Sequence, residues 1–179
     1  EYYFNEIPFV YRTHEEPDPE KIESAFSMIR AGKIKVKKAK ENVSPKEIQQ
    51  VLKEIEGLEC EPFFARLLLR SMKQAKYTTD CIGHFGLAAR YYCHFTSPIR
   101  RYPDLMIHRI IKQSIHEGLS DKALKHFRKK AEYAADQSSI AERKAVEAER
   151  EVEKLKKAEY ISYHVGEIFD GVISGVTGF

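Results

Sequence analysis

This 179-residue sequence predicts an α+β fold, mainly helical with a few short strands, and three patterns predict it. Four segments pair a capping residue or N-terminal proline with apolar side chains at three-and-four spacing. Residues 120–163 then run without proline or glycine, as one long helix requires. Only 6–14, 76–96 and the C-terminal tail carry the β-branched and aromatic composition of strands. Hydrophobic residues make up 42% and charged residues 32%, the balance of a globular chain with solvated faces.

The elements follow in order. EIPFVYRTH (6–14) reads as an extended segment that EEPDPE breaks. Asp18 caps a helix with Pro19 at its first position, Ile22, Ala25, Phe26 and Ile29 form one face, and Gly32 ends it. Arg30 to Lys40 holds six basic residues, read as a solvated face or loop before any nucleic-acid role. Ser44, Pro45 and Glu47 form a capping box for a helix to about Ile55, with Gly57 beyond it. Pro62 opens a third helix to about Ala75, with Phe64, Leu67, Leu68, Ser71, Met72 and Ala75 as its buried stripe.

Residues 76–96, KYTTDCIGHFGLAARYYCHFT, suit strand, turn and strand. Ser97-Pro98 predicts a short helical turn over 98–102, and Pro103-Asp104 starts a firm helix to about 117, stopped by Gly118. The long helix carries a seam of Leu124, Phe127, Ala131, Ala134, Ser138, Ala141, Ala145, Ala148, Val152 and Leu155. Its small residues suit close packing on a domain better than a leucine-rich dimer zipper. HVGEIFDGVISGVTGF returns to β residues.

Bulk properties exclude some classes. The longest apolar runs are far shorter than the ~18 residues of a spanning helix, so no membrane segment is expected. Cys60, Cys81 and Cys93 are an odd set without CxxC spacing, which suggests neither disulfides nor zinc and fits a reduced, cytoplasmic compartment. A net charge of +3 is mild, so any nucleic-acid function rests on where charge is concentrated.

That concentration lies in HFTSPIRRYPDLMIHR (94–109). A Ser-Pro helix start leaves backbone N–H groups that favour an anion. Arg100 and Arg101 add forked donors for phosphate oxygens, and Tyr91, Tyr92, Phe95 and Tyr102 offer faces for unpaired bases. The same residues admit a purely structural reading, with Arg100 or Arg101 paired to Asp104 and His94 or His108 satisfied in the core.

HFTSPIRRYPDLMIHR, preceded by GHFGLAARYY, resembles the motif near the end of the catalytic domain of the ribonuclease II and ribonuclease R family. EIPFVYRTHEEPDPEKI and AERKAVEAEREVEKLKKAEYI resemble an interior segment and the closing helix of that domain. The GHFGLA stretch and the intact Thr-Ser-Pro make the likeness greater to ribonuclease R. The resemblance implies that 1–163 is the C-terminal portion of an RNB catalytic domain, and that 164–179 begins an OB-fold RNA-binding domain with its first strand.

It also implies a processive 3′-to-5′ exoribonuclease, monomeric and cytoplasmic, that hydrolyses single-stranded RNA to nucleoside 5′-monophosphates. Arg100 matches the family's catalytic arginine beside the scissile phosphate, and Glu149 a glutamate near the bound 3′ end. His94, Ser97, Arg101, Tyr102 and Arg109 belong to the same RNA-binding motif. The family's Mg2+ is held by clustered aspartates. Asp18, Asp80, Asp104, Asp121, Asp136 and Asp170 form no such cluster, so no metal ligand is assigned here and the chain alone is expected to be inactive. A metal-free RNA-binding module and a helical interaction protein are the alternatives.

Overall fold

The computed structural model describes residues 7–39 and 42–171, which fall into two units. Of the described residues, the first unit holds those up to Arg12, Lys76–Cys81 and Tyr91–Asp170, and the second holds those between Thr13 and Ala75 together with Ile82–Arg90. In chain order the elements are β1 (Tyr11–Thr13), α1 (Pro19–Ala31), α2 (Pro45–Ile55), α3 (Glu61–Ser71), β2 (Lys76–Thr78), a 3-10 turn (Phe85–Leu87), α4 (Tyr102–His116) and α5 (Asp121–Ser162).

The second unit is built on α1, α2 and α3. Asp18 Oδ1 accepts from the N–H groups of Glu20 and Lys21 at 3.0 and 3.2 Å, satisfying donors that α1 cannot pair internally. Ser44 and Glu47 exchange the reciprocal bonds of a capping box at the head of α2. The predicted face of α1 meets Ile48, Val51 and Ile55 of α2 and Phe64 and Leu68 of α3 in one buried cluster. Each such side chain contributes about 1.5–3 kcal/mol when fully buried.

Two expectations need correction. The third helix stops at Ser71, not near Ala75: the Ser71 hydroxyl donates to Leu68 O at 2.6 Å, and Met72 turns to extended backbone. The expected strand, turn and strand over 76–96 yields only β2, the 3-10 turn and isolated bridges, with no second strand over 91–96. The chain there is occupied by single contacts in place of a ladder. His14 N–H donates to Gly83 O at 3.1 Å, Phe85 N–H to His14 O at 2.9 Å, and Gly86 N–H to His14 Nδ1 at 3.0 Å. A Cβ on Gly86 would come within 2.9 Å of that ring nitrogen, so the position requires glycine.

The basic stretch after α1 is a solvated face with an apolar underside. Ile34 and Val36 pack on the core while Lys33, Lys35 and Lys37 are exposed. Glu23 holds the segment, accepting from Arg30 at 2.5 Å and from Ala39 N–H at 2.7 Å. Lys40 lies outside the described residues.

The first unit is the packing of α4 on α5, with β2 against α5. Its core joins Val10, Tyr77, Met106, Ile107 and Ile110 to Ala131, Ala134 and Ala135. The alanines admit a neighbouring element at short range, as the small-residue seam predicted. The seam does not continue as expected, because Ala141, Ala145, Ala148, Val152 and Leu155 are exposed. An α-helix drifts by ~20° per heptad from a strict seven-residue repeat, so contact passes instead to Ser139 and Glu142, which bond Tyr77 and Arg12. No helix of the described residues is long and apolar enough to cross a membrane. Of the expected OB-fold strand, residues 164–171 contain no strand and 172–179 lie outside the described residues.

Candidate nucleic-acid interface

The arginine segment is a tight turn followed by a helix. Pro98 to Arg100 form the turn, closed by Arg100 N–H and Arg101 N–H to Ser97 O at 3.3 and 3.0 Å. Asp104, in the first turn of α4, is fully buried. Its Oδ2 accepts from Ser97 N–H at 2.8 Å and from Arg101 Nε and Nη2 at 3.2 and 2.8 Å. Its Oδ1 is buried with no hydrogen-bond partner among the described residues. One carboxylate thus ties the start of the turn to the helix and fixes Arg101.

The two arginines are thereby separated. Arg101 is the partner of Asp104, and the side chain of Arg100 is exposed with no ion pair or hydrogen bond among the described residues. Ile99 beside it is fully exposed. The expected cradle of free backbone N–H groups does not form. Ser97 donates to Asp104, Pro98 has no N–H, and Arg100 and Arg101 donate to Ser97 O, leaving Ile99 N–H. The charged side chain that this turn presents to solvent is the Arg100 guanidinium, a planar fork of the shape that matches phosphate oxygens in general.

Behind the turn lies a polar network. His94 Nδ1 is 2.9 Å from the Tyr77 hydroxyl, and Tyr77 N–H donates to Ser139 Oγ at 3.0 Å. The Arg12 guanidinium sits 4.7 Å from the Tyr77 ring centre and pairs with Glu142 at 2.5 Å. Burial, then the charges of Arg101 and Arg12, lower the pKa of His94 below its ordinary value, which favours the neutral imidazole. Burial raises the Tyr77 phenol, and burial followed by Asp104 raises the Cys93 thiol. His108 Nε2 donates to Phe95 O at 2.8 Å while the two rings stack at 4.2 Å, so one face of Phe95 is already covered.

Of the site residues expected from sequence, Ser97 and Arg101 are brought together with Asp104, and His94 joins the Tyr77 network. Tyr102 is exposed at the head of α4. Arg109 lies two turns further along, lining a groove with Lys112, His116, His126, Phe127 and Lys130. Glu149 is on the exposed C-terminal half of α5 and makes no hydrogen bond or ion pair among the described residues. Sequence reasoning missed Arg12, Tyr77, Ser139 and Glu142. Their separation of up to 130 positions leaves no local signal.

The length of the matching segment decides the family: the model of the RNB domain matches residues 2–117. The chain belongs to the RNB domain family. Ribonuclease R 1 of Lactococcus lactis is 44% identical over 97% of this chain and 21% of its own length. Ribonuclease R of Thermotoga maritima is 41% identical over 97% of this chain and 24% of its own. Mycoplasma genitalium RNase R, solved in complex with ribose methylated single-stranded RNA, superposes with a TM-score of 0.85 at 30% identity. That match covers 98% of this chain and 28% of the other. The RNB chain therefore spans about a fifth to a quarter of the curated relatives it matches, and its likeness to ribonuclease R extends through nearly its whole length. RNB-domain ribonucleases are generally metal-dependent nucleases.

Proposed function

We propose that residues 1–163 are the C-terminal portion of the catalytic domain of a processive 3′-to-5′ exoribonuclease, with 164–179 opening an OB-fold RNA-binding domain. The observation that carries this reading is the separation of two adjacent arginines: Arg101 is held by the buried Asp104, and Arg100, at the tip of the turn, has no ion pair or hydrogen bond among the described residues. A solvent-facing guanidinium beside a residue anchored to Asp104, in a chain related to ribonuclease R, supports a phosphate-binding role.

In this reading single-stranded RNA is the substrate and nucleoside 5′-monophosphates are the products. Arg100 forks onto the phosphate beside the scissile bond, and its bonds strengthen as negative charge builds in the transition state. Arg101 is a positioning residue acting through Asp104 and Ser97. His94, Ser97, Tyr102 and Arg109 line the RNA path, and Glu149 faces the 3′ end. Among the described residues no group of three or more His, Cys, Asp or Glu side chains fits a metal, so Mg2+ is assigned to carboxylates outside this chain. When bound there, the metal supplies an activated water. The whole protein works as a monomer in the cytoplasm, where Cys60, Cys81 and Cys93 stay reduced.

The test replaces Arg100 with Lys in the complete enzyme, keeping the charge and losing the fork. The single-turnover rate should fall by ~10²-fold or more, the size of losing one preorganised donor. RNA affinity should change little, since each lost phosphate contact alters the salt slope by only ~0.7. An unchanged rate, or a defect confined to binding, overturns the assignment.

A further inference from the structure

We infer that the groove between the C-terminal half of α4 and the first turns of α5 is a binding site for linked phosphates, separate from the turn that carries Arg100. The groove is open to solvent and offers about 540 Å³, within the range of small-molecule sites, with Arg109, Lys112, His116, Glu117, His126, Phe127 and Lys130 along it. Arg109 begins about 10 Å along α4 from Tyr102, by the helical rise.

Its lining carries an excess of positive charge. Arg109, Lys112 and Lys130 make no ion pair among the described residues, and they outnumber Glu117, the one carboxylate of the lining, which accepts from Gln113 Nε2 at 2.6 Å. Residues 109–130 hold seven lysines and arginines against Glu117 and Asp121, in a chain whose net charge is only +3. This hairpin is therefore, with the stretch from Arg30 to Lys40, one of two concentrations of positive charge in the chain. The end of α4 and the start of α5 contribute opposite partial charges here, so the side chains decide the sign.

The arrangement of the cations selects the ligand. Arg109 and Lys112 are three residues apart, and Lys112 and His116, like His126 and Lys130, are four apart; such pairs sit about 5–6 Å from one another on a helix face. Two facing rows of this kind exceed the reach of one monovalent anion and suit a run of joined phosphates. The Phe127 ring, half-buried beneath, meets His126 edge-on at 5.6 Å and fixes that imidazole. Joined phosphates occur in an RNA backbone and in a free polyphosphate, and the groove recognises the chemistry they share.

The experiment titrates the full 179-residue chain with inorganic tripolyphosphate and, separately, with a single-stranded oligoadenylate at several salt concentrations. Variants are Lys112→Gln with Lys130→Gln, Lys112→Arg with Lys130→Arg, and Arg100→Gln, each checked by thermal melting. Tripolyphosphate affinity should fall at least tenfold in the double Gln variant, recover in the double Arg variant and stay within twofold in Arg100→Gln. Absence of tripolyphosphate binding by the parent chain, an unaltered affinity in the double Gln variant, or an equal loss in Arg100→Gln overturns the site. In the RNA arm, a salt slope lowered by about 1.4 in the double Gln variant identifies the RNA backbone as the source, at ~0.7 per contact. An unchanged slope beside lost tripolyphosphate binding identifies a free polyphosphate. The site does not depend on the catalytic role of Arg100, and failure of the single-turnover test leaves it standing.

Discussion

Replacing Arg101 with Ala and, separately, Arg100 with Ala applies the same chemical change to neighbouring positions, and the structure gives them unequal costs. Arg101 supplies two of the three hydrogen bonds on Asp104 Oδ2, at 3.2 and 2.8 Å, and the carboxylate is fully buried. Its Oδ1 already lacks a partner among the described residues, so Arg101→Ala leaves a buried charge with the Ser97 N–H as its remaining donor. Removing one member of a buried pair costs 3–5 kcal/mol in general. The Arg101 side chain is 23% exposed, which lets water replace part of the loss. A cost of about 2–3 kcal/mol follows, or roughly 4–12 °C in Tm for a chain of this size. Arg100→Ala removes an exposed side chain without a partner among the described residues and should stay within ~0.5 kcal/mol of the parent. Denaturant and thermal unfolding of the three proteins measure the contrast. Equal effects at the two positions, or an Arg101→Ala protein as stable as the parent, would refute the division between them.

The remaining predictions test other parts of the structure. His94 has a folded pKa below its ordinary 6.5, so the unfolded state binds more protons. Its stabilising contribution is complete above 6.5 and is lost as pH falls from there through the lowered value; His94→Gln should flatten the decline in unfolding free energy over that window. Ala134 is fully buried and Ala148 is exposed, so Ala134→Leu should destabilise by about 1–3 kcal/mol while Ala148→Leu stays neutral by denaturant titration. Cys81 is exposed, whereas burial and Asp104 raise the Cys93 thiol, so iodoacetamide followed by mass spectrometry should modify Cys81 first. Equal labelling rates would contradict that environment.

Local chemistry was legible without the structure. The caps at Asp18 and Ser44, the apolar face of α1 and the start of α5 at Ser120 all follow from interactions within one turn of helix, and they stand where the sequence placed them. Family membership was equally legible, because the motif from His94 to Arg109 is long and continuous. Strand pairing was not: 91–96 has β-favouring composition, yet only Tyr92 O receives a backbone bond from β1, from Arg12 N–H at 2.9 Å. A strand needs a partner edge, which composition does not supply.

The extent of the α5 seam was also beyond the sequence, since burial stops where α4 and β2 stop covering the helix. The clearest case is the arginine pair. Sequence by itself determined that Arg100, Arg101 and Asp104 share one short segment and left either arginine free to pair. Tertiary packing decided between them, because burying Asp104 against the turn leaves Oδ2 reachable by Ser97 N–H and by the Arg101 fork at i,i+3, while the turn directs Arg100 into solvent. A buried carboxylate must take the partner its surroundings allow, and those surroundings are assembled only when the chain folds.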